Sequence, residues 1–281
     1  MKHWLITGVS SGLGKALGEA ALQKGDRVTG TMRKIADKAA FEAMSPERAT
    51  GILIDLSLPD LAKSTIEEAL TELPPVDILV NNAGFGLTGA IEETPFDQIR
   101  NLFEVNLMGP IAMIQAILPQ MRQRRAGHIV NITSMSGFAP WGGTGVYGAS
   151  KYAMECIGQT LAQEVACFGI KVTNVAPGGF RTGFAGKALA EADCPISDYD
   201  ETPVRQNRDI LFEGGGKESG DPIRGAQAIL KAVAMEEPPK HLFLGKDALL
   251  HTHEHLEMVE AEMERWKDLS LSTAFAAETT V

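Results

Sequence analysis

Short apolar blocks recur along this chain at 2–7, 27–32, 51–56, 76–81, 128–134, 169–175 and 241–244. They are rich in Ile, Leu and Val with little polar alternation, the pattern of strands buried on both faces. Between them the apolar spacing changes to three and four residues, over 15–22, 59–70, 95–122, 146–168, 222–235 and about 247–268, which predicts helices. Strands alternating with helices predict one α/β domain around a parallel sheet with right-handed crossovers. In the last helix Leu256, Val259, Met263 and Trp266 mark one face, a stripe that ordinarily packs on a core. From 183 to 221 periodicity fails and Gly, Pro, Asp and Asn accumulate, so this stretch is expected as an irregular segment forming a lid over a site. The tail past Leu269 is small and polar, suited to fraying or to wrapping a neighbour.

Composition narrows the function classes. A chain of 281 residues with 44% hydrophobic content supports one large core. A net charge of −10 argues against nucleic acid and against anionic membrane surfaces as partners. No stretch reads as a leader or a bilayer span. Cys156, Cys167 and Cys194 follow no metal spacing and read as reduced thiols in a cytoplasmic protein. His251, His253 and His255 alternate near the end and are expected to be solvated, with no metal.

The chemistry gathers around Tyr147-Gly148-Ala149-Ser150-Lys151 at the start of a helix. A spacing of four puts phenol and ammonium on one face. A cation about 4 Å from the phenol, at an effective dielectric of about 20, favours the phenolate by roughly 4 kcal/mol, or about three pK units. That would bring Tyr147 near neutrality, where an acid/base works best, while burial opposes the shift. Upstream, the run Gly8-Val9-Ser10-Ser11-Gly12-Leu13-Gly14 joins the first strand to the first helix. Glycines let the backbone approach a pyrophosphate, and the helix N-terminus offers free N–H groups. The second strand ends without a carboxylate and is followed by Arg33 and Lys34, which suits a 2′-phosphate and so NADP(H) over NAD(H). Asp55 ends the third strand, and Asn82-Ala83-Gly84 follows the fourth. Asn106 sits within the long helix at 95–122, four residues before Pro110, whose missing N–H frees the Asn106 carbonyl. Ser134 ends the fifth strand, and a glycine-rich loop bearing Trp141 separates it from Tyr147.

In this order and spacing these residues, with Pro177-Gly178-Gly179-Phe180-Arg181-Thr182, resemble the short-chain dehydrogenase/reductase family in its Tyr-x-x-x-Lys form. Within it the chain looks most like bacterial NADP-dependent, 17β-hydroxysteroid-dehydrogenase-like oxidoreductases. The resemblance implies a Rossmann-like, doubly wound α/β fold of about seven strands in the order 3-2-1-4-5-6-7. It implies interconversion of a secondary alcohol and a ketone by hydride transfer. Tyr147 would be the general acid/base, Lys151 would lower its pKa and hold the nicotinamide ribose, Ser134 would orient the reacting oxygen, and Asn106 would hold a relay water. Gly8, Ser10, Ser11, Gly12, Leu13 and Gly14 would cradle the pyrophosphate. Asp55 and Leu56 would border the adenine, Asn82, Ala83 and Gly84 its ribose, and Pro177, Gly178 and Thr182 the nicotinamide. Trp141 and Phe184 are candidate apolar walls for the substrate. Thr133 stands where many members carry a second serine. A homodimer or homotetramer through the helices at 96–122 and 146–168 is also implied. A nucleotide-sugar epimerase would need a different glycine spacing, and an NADP-binding redox sensor without turnover would not need the full Ser134, Tyr147 and Lys151 set.

Overall fold

The computed structural model describes residues 1–275. In chain order β1 (His3–Thr7) passes through the glycine turn into α1 (Gly12–Gln23), and β2 (Arg27–Met32), α2 (Ile35–Ala43), β3 (Ala49–Leu53), α3 (Pro59–Ala69) and β4 (Ile78–Asn81) follow. A three-residue β5 (Gly86–Thr88), α4 (Phe96–Phe103), a π turn (Glu104–Met108) and α5 (Gly109–Arg124) lead to β6 (Gly127–Ile132). Then come α6 (Gly145–Val165), β7 (Ile170–Pro177), α7 (Phe184–Lys187), β8 (Leu189–Glu191), α8 (Pro203–Glu213) and α9 (Pro222–Ala234). The chain continues through β9 (His241–Leu244), α10 (Lys246–Arg265) and α11 (Lys267–Leu271).

Seven strands form one parallel sheet in the order β3-β2-β1-β4-β6-β7-β9. With the separate β5–β8 pair set aside, this is the expected order. Successive strand residues point to opposite faces, so each strand feeds two cores. Trp4, Ile6, Val80 and Val130 pack with α1 and α9 on one face. Leu5, Leu79 and Ile129 pack with α3, α5 and α6 on the other. Each fully buried Leu, Ile or Met there contributes about 1.5–3 kcal/mol.

Four expectations are corrected. The stripe on the last helix does not pack on the core: Leu256, Met263 and Trp266 are exposed at 49%, 69% and 52%. The long helix is interrupted at Asn106 by the π turn, where one extra residue widens the coil and shifts the hydrogen-bond register. The helical run 96–124, 29 residues, is also long and apolar enough to cross a bilayer by length and composition, contrary to the sequence reading. Half of its most apolar window is buried, and Met113, Ile117 and Met121 are fully enclosed, as in a core helix. The segment 183–221 is not irregular throughout: it holds α7, β8 and α8. Thr202 caps α8 by accepting the Val204 N–H, and Pro203 takes its first position, an N-terminal signature present in the sequence. Residues 276–281, within the stretch read as a polar tail, lie outside the described residues.

Candidate active site

The glycine turn leaves β1 at the C-terminal edge of the sheet, where an open α/β sheet receives its ligand. Gly8 and Gly12 take φ of +73° and +60°, left-handed values that side chains resist. A Cβ on Gly14 would lie 2.2 Å from Asn82 Nδ2 and 2.4 Å from the Gly8 carbonyl, so only hydrogen fits. Asn82 donates to the carbonyls of Thr7 (2.8 Å) and Gly8 (3.1 Å), and Thr7 Oγ1 accepts from the N–H groups of Asn82 and Ala83. Asn82 therefore braces the turn with its amide. The first turn of α1 holds no acid and no side-chain cap, leaving its N–H groups and dipole for an anion. Thr182 lies against Gly12, closing the cleft from the opposite side. Leu13 and Leu56 are buried, while Ser10, Ser11, Arg33 and Asp55 are exposed along the rim. The Asp55 carboxyl is held below its ordinary value by the Ser57 N–H and hydroxyl, with a smaller effect from Arg33. These features fit a dinucleotide whose phosphates lie on backbone N–H groups and whose adenosine end meets a basic rim.

Beside this cradle Ser134, Tyr147, Lys151 and Asn106 converge. Ser134 lies two residues past the end of β6, and its Oγ accepts the Ser136 N–H at 3.1 Å, which leaves its own hydrogen free to donate. Asn106, 1% exposed, exchanges two hydrogen bonds with the Phe85 backbone and donates to Ser150 Oγ at 3.2 Å. It thus locks the loop after β4 onto α6. Lys151 is 6% exposed and donates to the Ile132 carbonyl at 3.1 Å. Its Nζ stands over the Tyr147 ring, 5.8 Å from the centroid. The expected shift toward neutrality is absent in the protein alone. Burial pushes the phenol up to about 12, and the Ser134 hydroxyl works the other way. Burial likewise pushes Lys151 down to about 8, partly offset by the charge of Glu155.

The substrate side is apolar. Phe184, on α7, leans over Tyr147 with ring centroids 5.9 Å apart. Phe85, Leu87 and Val146 join the cluster around Tyr147. Trp141 is half-buried, and its ring meets His251 of α10 edge-on at 5.4 Å. His251 in turn faces Glu254, and no cluster of metal-ligating side chains occurs among the described residues.

The short chain dehydrogenase family model matches residues 2–193. The chain belongs to the short-chain dehydrogenase family. A short-chain dehydrogenase from Streptomyces avermitilis has a solved structure 40% identical to it, with a TM-score of 0.91 over 97% of this chain and 98% of that one. Oxidoreductase BOA17 of Botryotinia fuckeliana is 34% identical over 97% of this chain and 99% of its own length. 3-Ketodihydrosphingosine reductase of Bacteroides thetaiotaomicron is 34% identical over 84% of each. This dehydrogenase is thus an NAD(P)-dependent oxidoreductase.

Sequence reasoning missed three polar residues of the dehydrogenase. Asp247, at the start of α10, accepts the Gly179 N–H at 2.6 Å and fixes the Pro177–Gly178–Gly179 segment, while its Oδ1 is buried without a partner. Glu155 is buried one turn beyond Lys151. Glu93 is fully buried and clamps Arg205. The one signal was a carboxylate four residues after Lys151; Glu93, beside Glu92, and Asp247, beside Lys246, carry none. Two shallow hollows, about 540 and about 290 Å³, lie at the other edge of the sheet, around Arg122, Arg125 and Phe168 and around Arg27 and Arg124. They are remote from Tyr147, and the chemistry resides in the open cleft.

Proposed function

We propose that this chain interconverts a secondary alcohol and a ketone with NADP(H), on a substrate whose body is apolar. The observation that carries the reading is the meeting of Ser134, Tyr147 and Lys151 beside the glycine turn, under Phe184. Ser134 donates to the carbonyl oxygen and orients it, Tyr147 delivers or removes the proton, and Lys151 supplies the nearby charge. The bound nicotinamide supplies the hydride. Asn106 keeps the loop after β4 in register with α6, and on this reading its freed backbone carbonyl accepts a relay water. The apolar wall suits a ketone on a hydrocarbon frame, and the relative named for 3-ketodihydrosphingosine is consistent with that. A panel of such ketones with NADPH and NADH in parallel tests the proposal. Cofactor binding without turnover across the panel would favour a redox sensor.

The free-protein charges give the pH behaviour a sign. Ketone reduction needs the protonated phenol, which is the stable form below about 12, and a charged Lys151, which is lost as pH rises through about 8. Reductive kcat/KM should therefore be level at neutral pH and fall above about 8. Oxidation needs the phenolate and should rise from neutral pH. Initial rates in both directions across pH check this, and a reductive rate that climbs with pH would contradict it.

NADP preference rests on Arg33 and Lys34 at the exposed end of β2. Losing one guanidinium–phosphate hydrogen bond costs about 1.5–3 kcal/mol, or roughly 10- to 150-fold in affinity. Arg33→Ala should weaken NADPH by about that factor and NADH by less than about three-fold, read by fluorescence titration. Equal losses would remove Arg33 from the 2′-phosphate. A cytoplasmic homo-oligomer through the α4–α5 and α6 faces completes the proposal. Phe96, Met108 and Tyr152 are exposed there at 73%, 43% and 39%, area that a second subunit would cover.

A further inference from the structure

Three asparagines lie side by side across the sheet. Asn81 on β4, Asn131 on β6 and Asn174 on β7 are in register, and His241 on β9 is in register with Asn174. All three amides are at most 3% exposed. Asn81 donates to Asn131 Oδ1 at 3.0 Å, Asn131 to Asn174 Oδ1 at 3.0 Å, and Asn174 to Glu155 Oε2 at 2.7 Å. The carboxylate can only accept, so it sets the direction of the whole row, and each amide dipole points its positive end toward Glu155. The Thr133 hydroxyl lies 2.5 Å from the other oxygen, Oε1, and 2.9 Å from the Val175 carbonyl, and its single hydrogen serves these two acceptors. At the far end Asn81 Oδ1 is buried with no partner among the described residues, as expected for a chain with one terminus. Two glycines make room: a Cβ on Gly158 would fall 1.9 Å from Asn174 Oδ1, and one on Gly137 would fall 3.1 Å from Glu155 Cγ.

Glu155 is 2% exposed and stands one helical turn beyond Lys151, which is itself buried. The titratable groups that act on its carboxylate are Lys151, one turn earlier on α6, and His241 from β9, whose Nδ1 is 3.4 Å from Oε2. β6, β7 and the 135–137 turn present the neutral Thr133, Asn174 and Gly137. A buried ammonium without a counter-charge is costly, and the Ile132 carbonyl supplies a hydrogen bond but no charge. We propose that Glu155 is a positioning residue of the reaction, the negative charge that keeps the Lys151 ammonium charged beside Tyr147, itself fixed in place by the asparagine row and Thr133. This rests on the oxidoreductase reading of the same site. Successive amides polarise one another, which strengthens the last bond to the carboxylate. On this view Thr133, a departure from the commoner serine, serves the counter-charge and not the substrate.

The test is Glu155→Gln, which keeps shape and removes charge, beside Glu155→Met, which fills the same volume with no amide to satisfy. Protein labelled with [13Cε]lysine, with Lys151→Arg assigning the resonance, reports the Lys151 titration without needing turnover. Both variants should move that titration down by on the order of one pH unit, and the alkaline limb of reductive kcat/KM should move with it. At pH 8 a one-unit shift corresponds to about five-fold lower kcat/KM. Melting temperature and NADPH affinity report whether the fold and the cradle survive. If both variants keep the wild-type Lys151 titration while losing only thermal stability, the proposal is overturned and Glu155 is structural. If the wild type turns over no carbonyl yet the titration still moves, the catalytic reading has failed and the electrostatic coupling stands.

Discussion

Tyr147→Phe should lower kcat by about 10²–10⁴-fold, the usual contribution of a positioned general acid. The substitution deletes one oxygen. The ring that packs under Phe184 and faces the Lys151 ammonium is unchanged. NADPH affinity should therefore stay within a few-fold, and the loss of one neutral hydrogen-bonding group should cost only about 1 kcal/mol of stability. The two readouts separate roles. Binding followed by nicotinamide fluorescence reports the cradle, and single-turnover reduction of an apolar ketone reports the proton. Residual activity in the variant should lose the pH dependence assigned to the phenol while the fall above about 8 from Lys151 persists. Normal turnover by the Phe variant would remove Tyr147 from the chemistry, and with it the proposed mechanism.

The sheet was legible because its strands are uninterrupted apolar blocks and its crossovers have helical spacing; strand order then followed from connectivity. β5 and β8 were not, since three residues such as Gly86–Thr88 carry no period. The positions of Ser134, Tyr147 and Lys151 could be read from spacing, but their electrostatics could not. Helical spacing places Lys151 on the face of Tyr147, yet the Ile132 carbonyl decides where the ammonium goes, and that carbonyl reaches it only through folding. The asparagine row was invisible for a different reason. Each of Asn81, Asn131 and Asn174 looks like a polar blemish in an apolar strand, and only strand register aligns them. The contact of Trp141 with His251 was likewise invisible, since more than a hundred residues separate them in the chain.

The other large effect concerns the segment 183–221 and the buried pair that ties it down. Glu93, fully buried, accepts from the N–H groups of Ala90 at 2.8 Å and Ile196 at 2.7 Å and meets the Arg205 guanidinium with both oxygens. Arg205 spends its remaining Nε–H on Asp200 at 3.2 Å. The carboxylate thus joins the loop before α4 to two places in the segment, the Ile196 turn and α8. Arg205→Ala should cost about 3–5 kcal/mol, because it leaves Glu93 charged and buried with only backbone donors. The Arg205 hydrogen bonds, ahead of the two backbone N–H groups, hold Glu93 at about 2, below its ordinary 4.5. A depressed carboxylate stabilises the fold above 4.5 and loses that contribution as pH falls toward about 2. The stability gap between wild type and Arg205→Ala should therefore be widest at neutral pH and narrow on acidification below 4.5. If 183–221 caps the substrate, the variant should also be cleaved faster by protease within that segment. KM for an apolar ketone should then rise more than kcat falls, since Tyr147 and Lys151 lie outside it. Wild-type protease resistance in Arg205→Ala would mean that other contacts anchor the segment, such as Pro203 and Val204 against Gly142 and Gly143, and that the buried pair is dispensable for closure.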